Sequence, residues 1–396
     1  MKERSLFKYS NESVFIGIGI NKAISFDSIF SWKELDDFIQ SNQGKTMFVF
    51  LNFQLGNSIL ELSKTENTMP LLRIYLPESV YTFKNNKLNW IEGVDSVENT
   101  NLAFDLVNDT DEKIIQCSFK PQISKSEYIE DVSQLENHIQ QGDIYEVNYC
   151  QQIESSSLTL TSISPIYKFI NKRNPTPYSS MFECEKWMFA SFSPELYLEK
   201  KGKELISKPI KGTSKRGQNA TEDEHFVKQL ESSQKERSEN IMIVDLVRND
   251  LSRVAEKGSV QVTELCKVYT YPTVHQMIST VKCTLQNRAT FSEIIQATFP
   301  MGSMTGAPKK AAVEFINSFE KFNRECYSGS FGVIKQNGDF QLNVLIRTLF
   351  YLSASKKITC GVGGAITINS DSFSEYEECK TKIEKIINYL GPCLWY

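Results

Sequence analysis

The chain has 396 residues, of which 40% are hydrophobic and 23% are charged, and its formal net charge is −4 at pH 7. This composition is typical of a folded globular enzyme. Since no basic stripe accompanies the negative net charge, nucleic-acid binding has no electrostatic support. The length exceeds that of one ordinary core of ~100–200 residues.

The sequence also disfavours membrane insertion and secretion. The longest apolar runs, such as residues 14–20, have the length of a strand and are too short to span a bilayer. The first residues lack the apolar segment of a signal peptide. Nine cysteines are scattered without a Cys-x-x-Cys pair, which argues against a disulfide framework or a zinc ribbon. We therefore expect a cytoplasmic protein with no membrane and no nucleic-acid partner.

Residues 1–120 are predicted to form an N-terminal β-rich region. Residues 48–51 and 71–75 have the composition of strands, and turns rich in Asn and Ser separate them. No chemical motif stands out in this region. Residues 121–126 indicate a boundary, and residues 124–390 form a second region that contains all the motifs described below.

The second region mixes helices and strands without a regular βαβ alternation. Apolar residues at helical spacing predict helices that begin near residue 126 and that cover 222–247, 292–299, 309–319 and 374–390. Strands are predicted over 144–153, 187–192, 197–198, 331–334, 344–351 and 357–360. Long helices that pack on strand hairpins favour an α+β fold with antiparallel sheets.

Two pairs of glutamates are candidate metal ligands. The chain has only three histidines, and none shows ligand spacing, so a bound metal is expected to be hard and oxygen-bound, Mg²⁺ before zinc. Glu236 and Glu239 lie three positions apart on one predicted helix, as do Glu375 and Glu378 on another, which places each pair on one helix face. Such pairs are usually solvated, but the apolar run 241–244 indicates that Glu239 lies at a buried end.

Residues 209–213, Pro-Ile-Lys-Gly-Thr, contain a candidate nucleophile. Lys211 lies between a proline that fixes the backbone and a glycine that permits a bend. A lysine amine is nucleophilic only when its pKa is lowered, usually by burial or by a nearby positive charge. An isolated Lys-Gly-Thr would be a surface turn, but here further motifs follow that together define a site for a small dianion and a divalent metal.

Several stretches could bind an anion. Arg347 lies in a predicted apolar strand, where an unpaired charge is costly and a bidentate carboxylate would satisfy it. The glycine run 361–365 follows a predicted strand and could bind a carboxylate through its amides. Tyr327 could supply a phenol to the same anion. Residues 299–309 form a loop that leads into a helix, whose first N–H groups could also face an anion.

The ordered set of motifs resembles the chorismate-utilising enzymes and, within them, the synthase component of the aminodeoxychorismate synthases. One motif would be weak evidence, whereas an ordered set is specific. The resemblance implies a large two-sheet, mainly antiparallel β-sandwich flanked by helices, with residues 124–390 as the chorismate-binding catalytic domain. The stretches that carry it are residues 193–195, 209–213, 239–250, 275 with 279–281, 299–309, 327–332, 347 and 361–378.

The resemblance implies a role for each candidate residue. Glu239 and Glu378 would bind Mg²⁺, with Glu236 and Glu375 in support. Mg²⁺ and the glycine amides would hold the ring carboxylate of chorismate, and an arginine and a tyrosine would hold the enolpyruvyl carboxylate. The implied substrate-binding residues are Arg347, Tyr327, Thr213, Gly361, Gly363 and Gly364.

Catalytic roles follow from the same resemblance. Glu195 would act as general acid for the departing 4-hydroxyl, and His275 would line the ring pocket, although a satisfied core histidine is a fair alternative. The anthranilate synthases resemble one another in Pro-Ile-Ala-Gly-Thr, without an amine, at the position of Lys211. The lysine form implies that Lys211 attacks C2 while the C4 hydroxyl leaves, and that ammonia then attacks C4 and expels the lysine. Covalent catalysis thereby divides one difficult displacement into two steps.

Glu146 departs from the family pattern. Isochorismate and salicylate synthases resemble one another in a lysine at this position, which activates water, and the synthases that use ammonia typically have glutamine there. The glutamate excludes the water-activating lysine, and two alternatives stay open: the departure is harmless, or it alters how ammonium is held.

The implied activity is conversion of chorismate and ammonia to 4-amino-4-deoxychorismate, for 4-aminobenzoate and folate biosynthesis. No tryptophan-binding motif and no glutaminase signature are recognised, so we expect ammonia from a separate glutamine amidotransferase subunit. Two alternatives stay open. One is anthranilate synthase component I, which uses the same substrate. The other is a non-catalytic subunit with the chorismate-enzyme fold.

Overall fold

The computed structural model describes residues 2–9, 13–27, 31–63, 66–108 and 114–395. Strands account for most of the regular structure. In chain order they are β1 Arg4–Tyr9, β2 Ser13–Ile18, β3 Lys22–Phe26, β4 Met47–Leu51, β5 Leu72–Leu76, β6 Ser79–Lys84, β7 Lys87–Gly93, β8 Phe119–Pro121, β9 Glu146–Ser155, β10 Ser180–Glu183, β11 Trp187–Ser191, β12 Leu196–Lys201, β13 Glu204–Lys208, β14 Ile210–Lys215, β15 Gln261–Thr270, β16 Val274–Thr284, β17 Gly306–Ala307, β18 Ser330–Ile334, β19 Phe340–Asn343, β20 Thr348–Leu352 and β21 Lys357–Ile366.

The helices flank these strands, and among the described residues no helix is both long enough and apolar enough to cross a membrane. They are α1 Trp32–Ser41, α2 Leu55–Ile59, α3 Val97–Val107, α4 Lys125–Gln141, α5 Ser164–Arg173, α6 Ala220–Ser232, α7 Gln234–Ser252, α8 Phe291–Thr298, α9 Lys309–Phe319 and α10 Ser372–Ile387.

The strands form two large sheets. The first has the order β17-β9-β21-β20-β11-β10-β1-β2-β6-β7, with β8 beside β9, and the second has the order β14-β16-β13-β12-β19-β18-β4-β5-β3, with β15 beside β16. Neighbouring strands pair antiparallel, as in β9 with β21 and β4 with β18. The predicted α+β fold, with two mainly antiparallel sheets flanked by helices, is thus confirmed.

Residues 1–120 and 124–390 contribute strands to both sheets. β1 from the first segment pairs with β10 from the second, and β4 pairs with β18. The N-terminal segment also contains three helices that the strand-and-loop prediction omitted. The two segments therefore differ in sequence motifs, but each of the two sheets contains strands from both segments.

An aromatic layer joins the two sheets. Phe182 and Trp187 of the first sheet lie with ring centroids 4.4 Å apart, and Phe50 of the second sheet lies 5.2 Å from Trp187. Aromatic side chains bury large apolar areas, and tilted ring pairs add to the stabilisation. On its other face the first sheet packs against α4 and α10 through a second apolar cluster that includes Tyr128, Val132 and Tyr376.

Two predicted elements are corrected by the structure. The helix predicted over 222–247 is two helices, because Ser233 leaves helical geometry and its side chain accepts a hydrogen bond from the Glu236 amide, which caps α7. The strand predicted over 344–351 begins only at Thr348, as β20. Arg347 precedes β20 and has a φ of 53°, a left-handed conformation that non-glycine residues seldom adopt.

Candidate active site

A cavity of about 350 Å³ lies between α7 and β14 on one side and α10 and β21 on the other. It collects side chains that are far apart in the sequence. The predicted site residues that line it are Glu195, Lys211, Thr213, Glu236, Glu239, Tyr327, Arg347, Gly361, Gly363, Gly364, Glu375 and Glu378.

A bulge in β14 shapes the wall of the cavity that contains Lys211. The pairing of β14 with β16 skips one position between Ile210 and Thr213, so that Lys211 and Gly212 together lie opposite one residue of β16. Gly212 has a φ of 89°, which suits glycine. A bulge redirects a side chain from its regular alternation. Thr213, just after it, is exposed at the rim of the cavity.

Lys211 is buried in an ion pair with Glu146. Its Nζ lies 2.9 Å from Glu146 Oε1, and the exposed fractions of the two residues are 9% and 0%. Burial lowers the pKa of the Lys211 amine, but Glu146 and Glu239 outweigh that effect and raise the pKa above its ordinary value. In the protein without substrate the pKa of Lys211 is thus shifted upward, opposite to the lowering that a nucleophilic lysine requires.

The four glutamates on α7 and α10 face the cavity together with two lysines. Lys235 Nζ lies 2.9 Å from Glu375 Oε1, and Lys382 Nζ lies 2.6 Å from Glu378 Oε1. Lys382 holds the pKa of Glu378 below its usual range. Burial raises the pKa of Glu239 to about 7, with Lys211 opposing the shift and Glu236 adding to it.

These acids fit a hard divalent cation by their chemistry. Within the described residues no group of three or more His, Cys, Asp or Glu side chains is close enough together to hold a metal ion. Lys235 and Lys382 instead supply positive charge to the acids of α10. Glu239 Oε1 is buried without a hydrogen-bond partner in the described part of the chain. Such an oxygen is a natural ligand for Mg²⁺, so the Mg²⁺ site stays a prediction that the donor set supports.

Glu195, like Glu239, is a cavity carboxyl whose pKa is raised to near neutrality. It lies just before β12 with an exposed fraction of 4%. Burial raises its pKa to about 7, while a hydrogen bond from Ser303, the charge of Lys211 and the amide of Ile210 oppose the shift. Near neutral pH about half of the molecules therefore have a protonated Glu195, which can donate a proton.

Arg347 is placed to receive an anion. Its guanidinium makes no hydrogen bond or ion pair among the residues that the structure describes, in contrast to Lys211, Lys235 and Lys382. Burial lowers the pKa of the guanidinium, and the charge of Glu195 opposes that effect. An arginine that lacks a protein partner inside a cavity is suited to bidentate recognition of a ligand carboxylate.

The glycine run lies within a strand, not in a loop after it as predicted. β21 continues through Ile366, and its residues 361–366 pair with β9, whereas its pairing with β20 ends at Thr359. The run lines the cavity beyond that point. A side chain at Gly361 would come within 2.3 Å of the Tyr327 ring, and one at Gly363 within 2.1 Å of Tyr149 O. Only glycine permits these close approaches.

His275 is the one predicted site residue that does not line the cavity. It is fully buried in β16, where Nδ1 lies 2.9 Å from Thr270 Oγ1 and Nε2 lies 2.9 Å from Asp223 Oδ1. Both ring nitrogens thus have protein partners. This correction favours the alternative of a satisfied core histidine.

Sequence reasoning missed three contacts of the site. Glu146 was singled out, but its ion pair with Lys211 joins β9 of one sheet to β14 of the other, which no local pattern predicts. Lys235 was missed for the same reason. Lys382 could have been found, because it stands four positions after Glu378 on α10, the spacing at which opposite charges meet on a helix.

Comparisons with known proteins agree with this geometry. A family model described as chorismate binding enzyme matches residues 5–388. Aminodeoxychorismate synthase, chloroplastic, of Arabidopsis thaliana is 36% identical over 352 residues, which cover 80% of this chain and 38% of the relative. Aminodeoxychorismate synthase component 1 of Escherichia coli strain K12 is 35% identical over 269 residues, 68% of this chain and 58% of the relative. The chain thus spans less than two thirds of the length of either relative.

A solved structure gives the same fold. Anthranilate synthase component I from Streptococcus pneumoniae TIGR4 superposes with a TM-score of 0.81 at 23% identity, over 95% of this chain and 92% of that one. At this identity the likeness concerns the fold. Together with the match over residues 5–388, it confirms the resemblance drawn from the motifs: the chain belongs to the chorismate binding enzyme family.

Proposed function

We propose that the chain is the synthase component that converts chorismate and ammonia to 4-amino-4-deoxychorismate through a covalent intermediate on Lys211. The observation that carries the proposal is a buried lysine that lines the same cavity as an acid whose pKa is about 7. The relatives named aminodeoxychorismate synthase support the same reaction.

Lys211 and Glu195 would share the first displacement. The neutral amine of Lys211 attacks C2 of the ring, the double bond shifts, and the C4–O bond breaks. Glu195 gives its proton to the departing hydroxyl, which leaves as water. Ammonia then attacks C4, the C2–N bond breaks, and the Lys211 amine is released. The ionised Glu195 takes a proton from the new C4 ammonium and returns to its acid form.

The remaining cavity residues would bind the two carboxylates of chorismate. Arg347 and Tyr327 would hold the enolpyruvyl carboxylate, since the guanidinium has no ion-pair partner among the described residues. The amides of the glycine run would hold the ring carboxylate. Glu239 and Glu378, supported by Glu236 and Glu375, would hold Mg²⁺, which supplies the positive charge that lets an anionic ring approach four acids.

The ammonia would come from a separate glutamine amidotransferase subunit. The printed name component 1 of the bacterial relative supports a partner component. The product would feed 4-aminobenzoate and folate biosynthesis.

Product analysis tests the proposal. The purified chain is incubated with chorismate, Mg²⁺ and ammonium, and the product is identified by mass spectrometry and fluorescence. We expect a non-aromatic product in which an amino group replaces the hydroxyl at C4. Fluorescent anthranilate with release of pyruvate would instead identify an anthranilate synthase. Chorismate binding without turnover would identify a non-catalytic subunit.

A further inference from the structure

We propose that Glu146 is the proton acceptor that frees the Lys211 amine for attack, an inference that rests on the proposed function. An ammonium group has no lone pair, so Lys211 must lose a proton before it can form the bond to C2. The proposal identifies the group that takes this proton and later returns it.

The contact is already suited to proton transfer. Lys211 Nζ lies 2.9 Å from Glu146 Oε1, within the range required of a base and the proton that it removes. Both side chains are buried, at 9% and 0% exposed. Bulk water therefore has little access to the ammonium group, whereas Glu146 is in direct contact with it.

Other charged groups face the pair at longer range. Five further groups interact with Lys211 through their charges. They are Glu236 and Glu239 on α7, Glu378 and Lys382 on α10, and Glu195 before β12. None of these carboxylates forms a hydrogen bond or an ion pair with Lys211 within the described residues. Glu146 is thus the acceptor that the geometry selects, and the others set the field around the pair.

The ion pair with Lys211 leaves one oxygen of Glu146 unused. Its second oxygen, Oε2, is buried and has no hydrogen-bond partner in the described part of the chain. An ionised carboxylate with an unsatisfied oxygen is costly inside a protein, and a neutral carboxyl is less so. Transfer from ammonium to carboxylate also removes both charges together, so no ion has to leave the interior.

The step balances over the reaction. Glu146 takes one proton from Lys211, and the resulting amine attacks C2 as the C4–O bond breaks. When ammonia attacks C4, the electron pair of the C2–N bond returns to the lysine nitrogen. Glu146 then gives its proton back, which restores the original ion pair.

Substitution of Glu146 by glutamine tests the inference. Glu146→Gln keeps the length and one acceptor oxygen but cannot take up a proton. The rate of adduct formation on Lys211 is measured with chorismate and Mg²⁺, without ammonia, by rapid quench and mass spectrometry of the digest across the neutral to alkaline range. We expect a rate about 100-fold lower than that of the wild type near neutral pH, as for loss of a general base. Relative to the wild type at the same pH, the rate of the variant should recover about tenfold per pH unit, because solvent must then remove the proton.

The opposite outcome has a clear meaning. If Glu146 only restrains Lys211 as a counter-ion, its neutralisation leaves burial to lower the pKa of the amine, and the adduct should form as fast as in the wild type or faster. That result would overturn the inference and leave the proposed function standing. Absence of any Lys211 adduct and of aminodeoxychorismate in the wild type would instead sink the proposed function.

Two further variants serve as controls. Asp250→Asn removes another buried acid, whose Oδ2 lies 2.6 Å from Lys309 Nζ and which does not line the cavity. Adduct formation in this variant should keep the wild-type pH profile. Glu146→Asp withdraws the carboxylate by one methylene but keeps a proton acceptor. Adduct formation in Glu146→Asp should be slower than in the wild type but should lack the steep pH dependence expected of Glu146→Gln. If Glu146→Gln does not fold, Glu146→Asp tests the inference in its place. A wild-type rate in Glu146→Asp would count against direct proton transfer.

Discussion

Two sets of charged groups in the cavity differ in whether they have ion-pair partners within the protein. In the helix set, on α7 and α10, Lys235 pairs with Glu375 and Lys382 pairs with Glu378. In the arginine set, Arg347 has no ion-pair partner among the described residues and lies near Tyr327 and the glycine run. The two acids of α10 are thus paired before any ligand arrives, whereas the arginine set carries an uncompensated positive charge.

The difference indicates how each set would act on a substrate with two carboxylates. The arginine set can bind one carboxylate without breaking a protein contact, so its interaction contributes directly to affinity. The acids of α10 must exchange their lysine partners for a cation or ligand, so the net contribution of the helix set is smaller and depends on Mg²⁺ concentration. Lys211 belongs to neither set, because its partner Glu146 comes from β9.

Removal of Lys211 should have the largest effect. Lys211→Ala is expected to abolish the covalent adduct, and aminodeoxychorismate formation should fall to the detection limit. The vacated space could admit ammonia and give slow addition at C2, with some anthranilate. Lys211→Arg should also be inactive, since a guanidinium stays protonated. Near-normal aminodeoxychorismate formation by Lys211→Ala, with no adduct in the wild type, would sink the covalent mechanism.

Neutralisation of the helix set should come next. Glu239→Gln is expected to weaken Mg²⁺ binding by roughly 100-fold or more, because loss of a residue that only supports a metal ligand already costs about 10- to 100-fold. Turnover at ordinary Mg²⁺ concentrations should therefore be lost. Titration calorimetry with Mg²⁺ measures the affinity. Wild-type turnover at ordinary Mg²⁺ would remove Glu239 from the proposed metal site.

The same variant should gain stability, because the folded protein raises the pKa of Glu239 to about 7. Between its unfolded value of ~4.3 and 7, the folded state binds more protons than the unfolded state, so the wild-type free energy of unfolding decreases as pH rises. Glutamine has no such titration. Without Mg²⁺, Glu239→Gln should therefore be more stable than the wild type above pH 7, by up to roughly 3 kcal/mol. Urea unfolding at several pH values checks the sign.

Removal of the arginine charge should have a smaller effect on catalysis. Arg347→Ala is expected to lower kcat/KM for chorismate by roughly 10- to 150-fold, which corresponds to ~1.5–3 kcal/mol for a charged hydrogen bond. Its stability should change little, since no ion pair of the described residues is broken. A variant that simply unfolds would mean that Arg347 braces the structure.

The smallest expected effect is the change of kcat/KM with pH that follows from the ionisation of Glu195. Because burial raises the pKa of Glu195 to about 7, the acid form that donates a proton becomes scarce above that pH. With saturating Mg²⁺, kcat/KM should therefore fall about tenfold per unit well above pH 7. Glu195→Gln should be slow and should lack this decrease. An unchanged decrease in the variant would assign the titration to another group.

Most of the cavity lining could be predicted from the sequence, because the motifs occur in an order that a family shares. The remainder depends on contacts between distant segments. The ion pair of Lys211 with Glu146 crosses between sheets, and the partners of His275 come from a neighbouring strand and from α6. The helix break at Ser233 did have a local signal, since a serine followed three positions later by Glu236 is typical of a helix N-terminus.

The pairing of β4 with β18 has a consequence for how the protein is made. Nearly 300 residues separate these neighbours, and a ribosome adds ~5–20 residues per second. The apolar strand β4 therefore leaves the ribosome about 15–60 s before its partner exists. Pairings of such long range also fold slowly. During this interval the strand edges of the half-formed sheets are unpaired, and unpaired edges favour aggregation of the nascent chain.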